Sequence, residues 1–367
     1  MESSVGVLIM AYGSPSSLDE ADIFEYLRHI LVHYRKTDPT QEEFQHLKER
    51  YEAIGGSPLY PITGRITEAV QETLNLASPG RFRVHMAMKH SPPLIEDVVR
   101  EMCESEVTQA VAVALAPFRS RLSSDAYYNA VQQANNQQDR PLPWSFTEDW
   151  HLHPIFLELW STSISEALSR HDEAPMVIFT NHSLPARIQE WNDPYAQQFE
   201  MTAQALARMC ALSKWTAAFQ SQGGGNQPWL GPSLPDVVEE SKMDGVEAFL
   251  LAPIGFLMDH LEILYDLDVE GQAQATRTDI SLERTAMPND HPLLVSLLAD
   301  LIQGKLADDP SDCGHVERGT CNVERAGRRP APYSLDPGVT INSIRSSPLI
   351  TTALTSMPTF KASMAWV

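Results

Sequence analysis

Several scarcities bound what this chain can be. Its 367 residues include four cysteines, Cys103, Cys210, Cys313 and Cys321. Cys103 and Cys210 sit in apolar, helix-like contexts, where a reduced thiol behaves as a small hydrophobe. No stretch of about 18 apolar residues occurs, so no helical membrane span is expected. Basic residues are in deficit, 27 Lys and Arg against 48 Asp and Glu, for a formal charge of −21. Nucleic-acid binding and docking on an anionic membrane both need clustered Lys and Arg, so neither class fits. The start, Met1-Glu-Ser-Ser-Val5, lacks the basic region of a signal peptide, and a cytoplasmic protein is expected. The glycine run Gly223 to Gly225 completes neither G-x-x-x-x-G-K-[ST] nor G-x-G-x-x-G, so it reads as a flexible turn rather than a phosphate loop.

What is present is ordinary for a soluble globular chain, 43% hydrophobic and 20% charged. Strands are expected at 5–10, 82–88 and 110–115, alternating with helices ending near 31 and spanning 41–53, 66–76 and 93–104. The segment 135–143, rich in Asn, Gln and Pro, has boundary composition. Beyond it, strands at 176–180, 215–220 and 248–253 alternate with helices at 154–169, 194–211, from about 233, and finally 292–305. Such alternation predicts an α/β fold of parallel sheets flanked by helices. Two halves of similar wiring, 1–145 and 146–305, precede a Pro-, Ser-, Thr- and Arg-rich stretch, 306–367, without sustained periodicity. That stretch is expected to be irregular or disordered.

The segment 255–270 places Glu262, Asp266 and Glu270 four residues apart, amid Leu261, Ile263, Leu264, Leu267 and Val269. On a helix, i,i+4 positions drift by only about 40°, so the three carboxylates form one stripe. Like charges at that spacing repel, and no Lys or Arg lies between Lys242 and Arg277. A solvated acidic face is the ordinary explanation; a track for a cation or for protons is the functional one. His260, two positions from Glu262, is expected to face away from it.

The apolar run from Met176 to Thr180 opens into Asn181-His-Ser-Leu-Pro185. In open α/β sheets ligands gather beyond the carboxyl ends of strands, which brings His182 and Glu262 to one crevice. An imidazole with a carboxylate suits a borderline divalent metal, and either group accepts protons.

Five segments carry a family resemblance. Met10-Ala-Tyr-Gly13, the segment from Lys48 to Pro58 (KERYEAIGGSP), Asn181-His-Ser-Leu-Pro185, Gln220-Ser with Pro228-Trp-Leu-Gly-Pro232, and Asp259-His-Leu-Glu-Ile-Leu-Tyr-Asp266 resemble ferrochelatase motifs in order and spacing. The likeness runs from about Val5 to about Lys305. Ala-Tyr-Gly is similar to the branch of monoderm bacteria that inserts iron into coproporphyrin III, whereas the protoporphyrin branch usually carries Asn-Leu-Gly there.

The resemblance implies two Rossmann-like lobes of the class II chelatase kind with the active site in the cleft between them. It implies His182 and Glu262 as the catalytic, metal-handling pair, with Tyr12 as a further iron ligand from the opposite face. Substrate carboxylates would meet Arg50, Tyr51, Ser57, Tyr127, Lys89 and His90, with Arg35 in place of an Arg pair that relatives carry after the first helix. Asp266 and Glu270 would extend a proton or metal path. Ferrous iron is expected as a substrate, with coproporphyrin III or protoporphyrin IX as its partner and no further cofactor. Some ferrochelatases hold a [2Fe–2S] cluster through three cysteines near the C-terminus and one internal cysteine. Cys313 and Cys321 fall short of that set, and four ligands are needed, so no cluster is expected. A monomer is expected, in transient contact with neighbouring haem-pathway enzymes. The rival readings are a sirohydrochlorin-type cobalt or nickel chelatase and a non-enzymatic haem or porphyrin carrier.

Overall fold

β1 (Ser4–Ala11) is apolar along most of its length because both of its faces are buried. Val5, Val7, Ile9 and Ala11 meet one core, and Leu8 and Met10 meet another. The computed structural model describes residues 4–223 and 227–307. After β1 come α1 (Glu20–Arg35), α2 (Gln41–Ala53), α3 (Leu59–Ala77), β2 (Phe82–Met88), α4 (Ile95–Glu104), β3 (Val107–Ala114), α5 (Ser124–Asn135) and β4 (Trp144–Phe146). The second half runs α6 (Pro154–Leu168), β5 (Met176–His182), a 3-10 turn (Ala186–Trp191), α7 (Tyr195–Met209), β6 (Trp215–Gln220), α8 (Leu234–Met243) and β7 (Ala248–Ala252). It closes with α9 (Leu261–Leu264), a π-helix (Asp266–Gly271), α10 (Gln272–Thr278), β8 (Ser281–Arg284) and α11 (Pro292–Ala307).

Two four-stranded parallel sheets result, ordered β2-β1-β3-β4 and β6-β5-β7-β8. The wiring is the same in both. β1 and β5 are the equivalent strands, each with its successor on one side and the third strand on the other. Crossovers that diverge in this way open a crevice at the carboxyl end of the strand.

Local chemistry explains the helix ends. The hydroxyl of Thr40 accepts from Glu43 N, and the Glu43 carboxylate accepts from Thr40 N, a reciprocal cap on α2. α3 begins at Leu59, seven residues earlier than expected, because Pro61 falls in its first turn, where a missing N–H costs nothing. α5, β4 and β8 were not expected: β4 spans three residues and β8 four, too short for a period to show. α11 lies against both α3 and α6, and one apolar cluster extends from Val5 through Trp160 to Leu306. The stretch 308–367, with Cys313 and Cys321, lies outside the described residues, as do Gly224 and Gly225.

The acidic segment is not one continuous α-helix. α9 lasts a single turn before the π-helix, in which Glu270 N bonds Tyr265 O at 2.8 Å. Four residues overshoot an α turn of 3.6 and undershoot the wider i→i+5 turn, so the drift along the stripe reverses. Glu262, Asp266 and Glu270 therefore stay closer to one line than on an α-helix.

Candidate active site

The carboxyl ends of β1 and β5 open on one cleft of about 160 Å³, lined by residues of both halves. Tyr12 follows β1 directly. Its loop turns at Gly13, whose φ of 108° and proximity to the Ser91 hydroxyl exclude a side chain. Tyr26 OH donates to the Gly13 carbonyl at 3.1 Å.

His182 is the last residue of β5, two residues beyond the expected strand end at Thr180. Its Nδ1 lies 2.5 Å from the Ser183 carbonyl. A carbonyl only accepts, so Nδ1 carries the proton and Nε2 keeps its lone pair. The loop after β7 passes so close that a Cβ on Gly255 would run into Asn181 Oδ1. That oxygen accepts from His182 N at 2.9 Å and from Tyr195 OH at 2.8 Å, which fixes the strand end.

Glu262 enters from α9, where its own carbonyl accepts from Gln220 Nε2 at 3.0 Å. Its Oε2 lies 3.1 Å from His260 Nε2, and His260 Nδ1 lies 2.8 Å from the Met258 carbonyl. Burial disfavours the Glu262 charge. His260 at contact, with His182 and Arg50 nearby, outweighs it and holds the carboxyl down to about 2. Burial also lowers His260, but Glu262 wins and raises it. His182 goes the other way, kept below the usual imidazole value by burial despite Glu262. At neutral pH the cleft lining thus holds the Glu262 carboxylate and a neutral His182 imidazole.

On the β1 side, Lys89 Nζ bonds Tyr34 OH at 2.7 Å and lies 5.3 to 6.0 Å from the ring centres of Tyr12, Tyr34 and Tyr127. Burial brings its ammonium down to about 8. Among the described residues it is the one Lys or Arg side chain lining the cleft. Burial, together with Tyr34, Tyr127 and Glu262, raises the Tyr12 phenol well above its ordinary value.

The ferrochelatase family model matches residues 4–306. The chain belongs to the ferrochelatase family. It is 36% identical over 310 residues to a ferrochelatase of Herpetosiphon aurantiacus, covering 83% of this chain and 100% of that one. It is also 36% identical to the coproporphyrin III ferrochelatases of Halalkalibacterium halodurans, covering 84% and 99%, and of Bacillus subtilis, covering 82% and 98%. Among solved structures, SirB from Bacillus subtilis with Fe3+ has a TM-score of 0.51 at 11% identity, covering 84% of this chain and 98% of that one. That likeness is one of fold. Ferrochelatases are enzymes, of the lyase class. Among the described residues no helix is long and apolar enough to cross a membrane.

In this ferrochelatase-family chain Tyr12, Tyr51, Ser57, Lys89, Tyr127, His182 and Glu262 all line the cleft. Others expected there do not. Arg50 is 2% exposed and ion-paired to Asp266. Arg35, at the end of α1, pairs with Glu43 at 3.1 Å. His90, 1% exposed, lies behind Tyr12 with ring centres 4.6 Å apart and borders a neighbouring groove. Asp266 and Glu270 stand outside the cleft lining, and burial raises both carboxyls. His260 was expected to face away from Glu262 and instead touches it. It precedes α9 in an extended conformation (φ −161°, ψ −172°), so helical spacing does not apply. Tyr26, Tyr195 and Phe256 also line the cleft. Tyr26 lies on α1 and Tyr195 opens α7, where nothing local marks either as a cleft residue, and Phe256 follows β7.

Proposed function

We propose that this chain inserts ferrous iron into coproporphyrin III, giving iron coproporphyrin III in haem biosynthesis. The observation that carries the reading is that a His182 with its Nε2 lone pair free of a proton and an ionised Glu262 line one cleft together with Tyr12 and Lys89.

Insertion removes two pyrrole N–H protons and delivers one Fe2+, so charge is conserved on the ring. Glu262 and His182 Nε2 supply oxygen and nitrogen donors suited to ferrous iron in transit. Once iron passes to the ring, both are open to the departing protons, and they act as one coupled pair. His260 already holds a proton against Glu262, which keeps that carboxylate charged and oriented. Asp266 and Glu270 continue the carboxyl line as an outward path. Tyr12 offers its phenol oxygen to the product iron from the other side. Lys89 with the hydroxyls of Tyr51, Ser57 and Tyr127 would receive substrate carboxylates. The named coproporphyrin III relatives at 36% identity favour the four-carboxylate ring over protoporphyrin IX.

The test is anaerobic metallation of coproporphyrin III and protoporphyrin IX in parallel, by wild type, His182→Ala and Glu262→Ala. Rapid metallation of coproporphyrin III, lost in both variants, is expected. Turnover with protoporphyrin IX alone would overturn the substrate assignment, and ring binding without turnover would leave a carrier.

A further inference from the structure

Tyr34 follows Leu27, Ile30 and Leu31 at helical spacing, so it continues the inward stripe of α1 in that helix's last turn. Its ring lies edge-on to His33, with centres 4.7 Å apart, and 5.5 Å from the His90 ring. The helix stops there: Lys36 takes a left-handed conformation (φ 60°), and its Nζ donates to the His33 carbonyl at 3.1 Å. The Tyr34 hydroxyl therefore reaches toward the cleft from a fixed point, although the residue is not itself part of the lining. It accepts from Lys89 Nζ at 2.7 Å and is hydrogen-bonded to the Tyr12 phenol. Lys89 is 8% exposed, and no Asp or Glu among the described residues pairs with it. Among those residues Tyr34 is the one hydrogen-bond partner of its ammonium. A buried ammonium with no counter-ion calls for an anionic ligand. On its four-carbon stem such a charge is mobile, and the Tyr34 hydroxyl removes that freedom.

We propose that Tyr34 is a positioning residue that sets where the ring sits. Its one hydroxyl fixes the Lys89 ammonium, which meets a carboxylate at the ring's rim, against the Tyr12 phenol, which faces the ring's centre. The proposal rests on the porphyrin reading of the cleft. A porphyrin carries its metal at the centre and its carboxylates on arms at the rim, so the distance between phenol and ammonium has to match the ring. Two groups tied to one hydroxyl keep that distance before any ligand arrives. Binding is then spared the ordering that a free lysine would undergo.

The experiment is a cycle of wild type, Tyr34→Phe, Lys89→Met and the double variant Tyr34→Phe/Lys89→Met. Coproporphyrin III affinity is read by porphyrin fluorescence without iron, and turnover is followed with ferrous iron. Tyr34→Phe keeps the ring against His33 and His90 and removes the hydroxyl alone. It is expected to raise the Kd and the KM for coproporphyrin III about three- to tenfold, with kcat and the KM for iron within about twofold. In the Lys89→Met background the same change should cost less than about twofold. Wild-type affinity in Tyr34→Phe overturns the proposal. So do effects that multiply, since a merely structural tyrosine would weaken binding by the same factor with or without Lys89. Urea midpoints of the four proteins need no ligand and should be non-additive as well; additive midpoints refute the link. Coproporphyrin III bound but not metallated by wild type would sink the iron-insertion reading and leave both cycles to judge Tyr34, and no binding of either ring would sink both.

Discussion

Both ring nitrogens of His260 face acceptors, the Glu262 carboxylate at 3.1 Å and the Met258 carbonyl at 2.8 Å. A neutral imidazole cannot serve both, so the pair retains a proton at neutral pH. The raised His260 contributes stability that is full below its ordinary 6.5 and is lost as pH climbs through its folded value. The depressed Glu262 contributes stability above 4.5 that is lost as pH falls toward about 2. His260→Leu should therefore cost most between these limits, about 1–3 kcal/mol, and progressively less as pH rises through the folded value of His260. Urea midpoints at pH 5.5, 7.5 and 9 decide it; a deficit that does not vary with pH would refute the pairing.

Lys89 is charged at pH 7 and loses its proton near pH 8, well below the value of an exposed lysine. Affinity for coproporphyrin III should weaken as pH rises through that range, by about tenfold for one charge-assisted bond. Lys89→Met should bind weakly throughout and show no such break. Fluorescence titration from pH 6.5 to 9.5 tests this, and wild-type affinity in the variant would remove Lys89 from the substrate's contacts.

Gly255→Ala puts a methyl against Asn181, the residue that anchors His182 N and the Tyr195 hydroxyl. The strand end or the loop must give. A loss of about 1–3 kcal/mol is expected, with kcat falling further than stability alone explains. An alanine variant with native midpoint and native kcat would contradict the close approach.

Tyr12→Phe removes the phenol oxygen while preserving the ring that lies against His90. Iron insertion should persist within about tenfold, whereas under the proposed reaction the absorption spectrum of the bound ferrous product should change, because the phenol oxygen offered to its iron is gone. An unchanged product spectrum would exclude Tyr12 as a ligand.

Signals confined to a few neighbouring residues were legible in the sequence. The apolar run before Asn181-His182 announced a strand end, and α2 spans the expected 41–53 because Thr40 and Glu43 cap its start and Gly55-Gly56 follow its end. Contacts made by distant parts of the chain were not. Arg50 and Asp266 are 216 positions apart, so no local pattern could show that the acidic stripe has a cation against it or that Arg50 is withdrawn from the cleft. The π turn was equally hidden, since its residues are apolar and acidic in helical rhythm and only the hydrogen bonds to Tyr265 O distinguish it. His260 misled because helical spacing was applied one residue before the helix begins.

The shared β2-β1-β3-β4 and β6-β5-β7-β8 wiring places Tyr12 and His182 just beyond or at corresponding strand ends of two like halves. Under the proposed reaction the halves have divided their labour, one facing the ring's carboxylates and offering Tyr12 to the metallated product, the other receiving the incoming ion. Descendants of such an arrangement can change their metal by altering His182, His260 and Glu262 while the ring-binding wall is left alone. They can equally change their ring by altering the first half without disturbing the ion's reception.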